Sequence, residues 1–64
     1  MNKKFIARVL RERMVTTSRY RYSIRCGLEE GKRVLHVVRL PIKWLGKSEM
    51  LNPENWEVVY ESGH

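Results

Sequence analysis

Residues Arg19 to Cys26 alternate with a period of two, and this constrains the fold more than any other feature. Tyr20, Tyr22, Ile24 and Cys26 interleave with Arg19, Arg21, Ser23 and Arg25. Side chains of an extended chain point alternately to opposite faces, so the pattern predicts a strand with an apolar face and a basic face. Gly27-Leu28-Glu29-Glu30-Gly31 follows as a turn with two glycines. Lys32 to Leu40 returns as a second strand, apolar enough to lie centrally in a sheet. Pro41 has no N–H to give to a ladder and ends it. The two strands form a β-hairpin.

The flanks are less sharply patterned. Asn2 is placed to cap a helix from Lys3, with Phe5, Ile6, Val9, Leu10 and Met14 on one face and Lys4, Arg8 and Arg11 opposite. The same residues also alternate as a strand would; the propensity of Ala7 to Met14 weighs towards helix. Thr16-Thr17-Ser18 breaks either pattern. After Pro41 a short helix is expected from Ile42 to about Met50, with Trp44 and Leu45 facing inward. Gly46 inside it costs about 1 kcal/mol relative to Ala, which leaves a shortened helix or a loop as the alternative. Asn52-Pro53-Glu54-Asn55 is a turn. Trp56 to Glu61 alternates again as a last strand, Trp56, Val58 and Tyr60 opposing Glu57, Val59 and Glu61. The expected fold is α+β, mostly β: one small domain over residues 1–64, an antiparallel sheet built on a central β-hairpin, with one or two short helices.

A chain of 64 residues buries only about 60% of the surface its unfolded form exposes. With a single cysteine there is no disulfide framework to reinforce it, so a homodimer is expected. Cys26 alone excludes an intrachain disulfide and a cysteine-built zinc site, and suits a reducing cytoplasm. Its ordinary role would be a small buried hydrophobe; an intermolecular disulfide or reactive thiol is the alternative. At 42% hydrophobic and 31% charged residues the composition is that of a globular chain. No stretch approaches the roughly 20 apolar residues of a membrane span. The apolar run of the N-terminal segment is interrupted at once by Arg8 and Arg11, unlike a secretion signal. All seven acidic residues are Glu, and neither Asp nor Gln occurs. Asp-based triads, Asp-rich metal sites and Walker-type phosphate machinery are thereby excluded, and no cofactor or metal is implied.

Charge is segregated along the chain. Residues 1–47 hold all thirteen basic residues and three acidic ones, a surplus of ten; residues 48–64 hold four Glu and no cation. Such asymmetry marks polyanion binding by one part of a chain. The bland account is pairing of the two segments within the fold or across a dimer, but four Glu cannot neutralise a surplus of ten.

Val37-Val-Arg-Leu-Pro-Ile-Lys-Trp-Leu45 followed by Trp56-Glu-Val-Val-Tyr-Glu-Ser-Gly63 resembles the AbrB/MazE type of swapped-hairpin DNA-binding protein. The likeness lies in a strand ending in a hydrophobic residue and Pro, a helix start, a turn, and a strand rich in Val and Glu. It covers about half the chain. Ser48-Glu49 stands where that family has Leu-Gly, and Pro53-Glu54 where it has Gly-Asp. The resemblance implies an intertwined dimer reading DNA with basic hairpin residues, a role that only Arg39 and Lys43 lie in position to inherit.

The residues themselves make the basic strand face the leading candidate site. Arg19 and Arg21 stand one i, i+2 step apart and Arg21 and Arg25 two, at about 6–7 Å per step, and a two-stranded ribbon fits the major groove of B-DNA. Lys32, Arg33, Arg39 and Lys43 extend the surface. A solvated outer sheet face is the competing account. Tyr20 and Tyr22 could stack on bases, but they point away from the arginines and are better read as core, as are Trp44 and Trp56, which could alternatively anchor a dimer seam. His36 shares a face with Val34, Val38 and Leu40 and is expected as a satisfied core histidine. A small ribonuclease using His36 with Arg and Tyr has no supporting spacing, so no enzyme is expected. The expected function is nucleic-acid binding, DNA favoured over RNA, as a transcriptional regulator. The alternative is a phage, viral or accessory module whose basic face docks on an acidic protein surface.

Overall fold

A computed structural model describes residues 2–62. One helix, α1 (Lys3–Glu12), precedes four strands, β1 (Met14–Thr16), β2 (Tyr20–Glu29), β3 (Lys32–Pro41) and β4 (Glu57–Ser62). The strands form a single antiparallel meander in the order β1-β2-β3-β4. The α+β, mostly β architecture and its central hairpin are as the sequence predicts.

The helical alternative holds at the N-terminus. The Asn2 side chain accepts a hydrogen bond from the Lys4 N–H at 2.6 Å, satisfying one of the donors a helix start leaves open. The helix ends at Arg13, which adopts the left-handed conformation (φ 73°) and returns its N–H to the Val9 carbonyl at 2.7 Å. Chain reversal here generates β1, a three-residue strand that no sequence pattern predicts, and leaves Met14 exposed instead of on the helix's inner face.

The hairpin is longer than expected. Gly27, Leu28 and Glu29 belong to β2, and the turn contracts to Glu30-Gly31. Both residues have positive φ, 52° and 78°, as a two-residue type I′ connection demands. Residues directly opposite in an antiparallel pair share a face, so the register of β2 on β3 sorts the side chains. Tyr22 opposite Arg39 and Ile24 opposite Val37 lie on one face, and Arg21 opposite Leu40, Ser23 opposite Val38 and Arg25 opposite His36 on the other.

α1 packs Ile6 and Val9 onto the first face, forming a core with Val15, Tyr22 and Val37, flanked by Phe5, Leu10, Tyr20, Ile24 and Val59. The Phe5 and Tyr22 rings meet edge to face at 4.8 Å. Both tyrosines therefore serve the core. Cys26, expected as a small buried hydrophobe, is instead exposed, on the same face but outside the cluster packed against α1.

Among the described residues no α-helix forms after Pro41. Three 3-10 turns, Ile42–Trp44, Ser48–Leu51 and Pro53–Asn55, cross over the second sheet face instead. Gly46 sits between the first two with φ 75°, a left-handed conformation that stops helix propagation. The segment is fastened by the Trp56 indole N–H donating to the Met50 carbonyl at 2.9 Å and the Asn55 amide donating to the Glu49 carbonyl at 2.9 Å. Trp44 and Trp56 are both half-buried. The last strand begins at Glu57, one residue later than predicted, and a register shift opposite Val37/Val38 interrupts its alternation. Tyr60 pairs with Val37 and Val58 with Val38, so the two lie on opposite faces rather than together.

Candidate nucleic-acid interface

The basic residues picked from the sequence do not assemble into one open surface. On β2 the alternation is as predicted, but the face that carries Arg21 and Arg25 also carries Val34, Val38 and Leu40 of β3, all buried. The 3-10 segment lies against it: Met50, Leu51, Pro53 and Trp56 enclose, with Ser23, Ile24, Arg25 and Val38, an open cavity of about 250 Å³. Arg25 is half-buried there, its guanidinium 3.5 Å from the Pro53 carbonyl. Arg21 is half-buried as well and donates to the Thr16 hydroxyl at 3.2 Å. The basic strand face, expected as an open contact surface, is thus partly covered.

Arg39 lies on the other face. Its Nε donates to Glu57 Oε2 at 2.9 Å and its guanidinium carbon sits 4.2 Å from the centroid of the Tyr20 ring. The hydrogen bond to Glu57 is the main cause that raises its pKa above the ordinary arginine value, with Tyr22 contributing next. One glutamate of the acidic C-terminal segment therefore does cap one of the candidate cations.

Arg19, Lys32, Arg33 and Lys43 are exposed. Arg19 precedes β2 in a bend held by its own carbonyl, which accepts from the Ile42 N–H at 2.8 Å. Lys32 and Arg33 flank the hairpin tip on opposite faces. The Lys43 ammonium stands 5.5 Å from the Trp44 ring centroid.

A denser basic surface lies on α1. Lys3, Lys4, Arg8, Arg11 and the adjoining Arg13 are all exposed, and the one acidic residue among them, Glu12, pairs with Arg8 at 2.9 Å and with Arg11 at 3.7 Å. Lys4, Arg8 and Arg11 follow i, i+4, i+7 spacing, which stacks them along one outward stripe. Lys4 and Arg8 line an open groove with Asn2, Phe5, Thr17 and Tyr22, which carries the surface towards the bend at Arg19. In the sequence these cations form only the polar side of a helix; their i, i+4, i+7 spacing is the signal that places them together.

His36 is half-buried on the second face, as expected of a residue beside Val34, Val38 and Leu40. It has carboxylate company that the sequence did not foretell: Glu61 Oε2 is 3.7 Å from its Nε2, and Glu29 joins the pair. Among the described residues no helix is long and apolar enough to cross a membrane. No family model, curated protein or solved structure matches the chain.

Proposed function

We propose that this chain is a small basic nucleic-acid-binding protein, DNA favoured over RNA, serving as a homodimeric transcriptional regulator without catalytic activity. The observation that carries the reading is the exposed surface of α1 and the adjoining Arg13, where five cations meet a single glutamate and a positive surplus remains. Lys4, Arg8 and Arg11 supply phosphate contacts, Arg19 continues the surface beyond the groove, and Lys32 and Arg33 add the hairpin tip. A rod of positive charge on a helix face matches the regular charge spacing of a nucleic-acid backbone. Arg39, held by Glu57 and Tyr20, contributes to the fold instead.

Fluorescence anisotropy with duplex DNA, single-stranded DNA and RNA across a salt series tests the reading. If six or more phosphates are engaged, affinity falls by roughly 10³–10⁵ between 50 and 200 mM salt. Absence of binding at low salt, or a complex indifferent to salt, overturns it. A second reading, a module docking on an acidic protein, draws support from Leu51, 84% exposed at the rim of the cavity beside Trp56. It predicts a stoichiometric protein complex that survives nuclease treatment.

A further inference from the structure

We propose that Glu29, His36 and Glu61 form a binding site for a divalent cation of the zinc class. The three side chains come from β2, β3 and β4, and their donor atoms all lie within 4.8 Å of one another. The ladder explains the convergence. Glu61 is directly opposite His36 across β3–β4. On the other side, the imidazole leans over Gly27, whose missing side chain leaves its Cε1 3.8 Å from where a Cβ would stand. Glu29 is the next residue of β2 on that face, so the ring is carried from its own position towards it.

The spacing suits shared coordination. Two ligand atoms about 2.0–2.1 Å from a tetrahedral ion lie roughly 3.4 Å apart. The 3.7 Å between His36 Nε2 and Glu61 Oε2 is too long for a hydrogen bond and within a small side-chain rotation of that value. Glu29 is the exposed member of the three, and its carboxylate already lies within 4.8 Å of the other two donor atoms, on the third side. An imidazole nitrogen with carboxylate oxygens selects zinc and its transition-metal neighbours over magnesium and calcium, which prefer all-oxygen sites. Two carboxylates balance the charge of the dication, and a fourth position stays open to water. Three cations of the hairpin share this face: Arg21 donates to the Thr16 hydroxyl, Arg25, opposite His36, is directed at the Pro53 carbonyl, and Lys32 stands opposite Glu29 in the ladder. Metal binding would tie the C-terminal edge strand to the hairpin.

The test is a calorimetric titration of the full chain, stripped with chelator, with zinc chloride, repeated with cobalt(II) for its visible absorption. One saturating equivalent per chain and a rise in melting temperature are expected. His36→Ala and Glu61→Gln should each weaken binding by roughly tenfold or more. Glu29→Gln, an isosteric change at an exposed position, should weaken it too with the circular dichroism spectrum unchanged, separating ligand loss from unfolding. Cys26→Ser and His64→Ala should leave it intact. The proposal is overturned by absence of saturable binding, by native affinity in Glu29→Gln or Glu61→Gln, or by loss of binding in His64→Ala. Magnesium at millimolar concentration should not compete; displacement by it counts against an imidazole ligand.

Discussion

The Arg39 guanidinium is stacked 4.2 Å above the centre of the Tyr20 ring, with Glu57 gripping its Nε from the neighbouring strand. A planar, delocalised cation does this better than an ammonium. Arg39→Lys should therefore lower stability by roughly 0.5–1 kcal/mol, read from urea denaturation, and leave nucleic-acid affinity unchanged. Equal loss of affinity and stability would return Arg39 to the interface.

The same pair makes a pH statement. Folding raises the Arg39 pKa, chiefly through Glu57. A raised basic group contributes its full stabilisation below its unfolded value, which for arginine lies far above neutral pH, and loses it only as pH climbs through the folded one. The stability difference between the native chain and Arg39→Lys should accordingly be flat from pH 7 to 9. A difference that shrinks across that range would show that another group governs the contact.

If the α1 stripe contacts phosphates, Lys4→Gln and Arg11→Gln should each weaken DNA binding evenly across sequences and reduce the salt slope by about 1. Arg21→Gln, whose guanidinium is already engaged by Thr16, should change the slope less. The reverse ranking would move the contact surface back to the hairpin.

Why the hairpin but not its surroundings could be read from the sequence follows from what alternation encodes. The period-two pattern of β2 states which residues share a face; it does not state what covers that face. The clue was in β3, where Val37 on one face and Val34, Val38 and Leu40 on the other are all buried. A central strand apolar on both sides needs cover on both sides, so Arg21 and Arg25 had to share their face with a lid. The lid differs from the expected helix because Ile42, Trp44 and Leu45 have spacing compatible with one, while the break depends on Gly46 adopting positive φ. β1 is too short to show any period. The Glu29, His36 and Glu61 cluster joins residues distant in sequence and depends on register, which no local pattern carries.

That lid gives a direct prediction. Leu40 is fully buried on the face the 3-10 segment crosses, where a merely solvated sheet would leave it exposed. Leu40→Ala should cost about 2–5 kcal/mol, half or more of the few kcal/mol expected for a domain of this size. A loss below 1 kcal/mol in chemical denaturation would mean that the segment does not cover the strand.

The hairpin turn offers a change in the opposite direction. Glu30 takes φ 52° without being glycine, beside Gly31 at φ 78°. A left-handed conformation is unfavourable for most residues, whereas Asn adopts it readily and Asn-Gly is the preferred pair for a type I′ turn. Glu30→Asn should therefore raise stability by roughly 0.5–1 kcal/mol, seen as a higher urea midpoint at unchanged slope. Gly31→Ala should lower it by about 1 kcal/mol or more, since no neighbour lies near the added methyl and the penalty is purely conformational. If Glu30→Asn proves neutral or harmful, the two-residue turn is not the connection the chain uses in solution, and the position of Glu29 beside His36 changes with it.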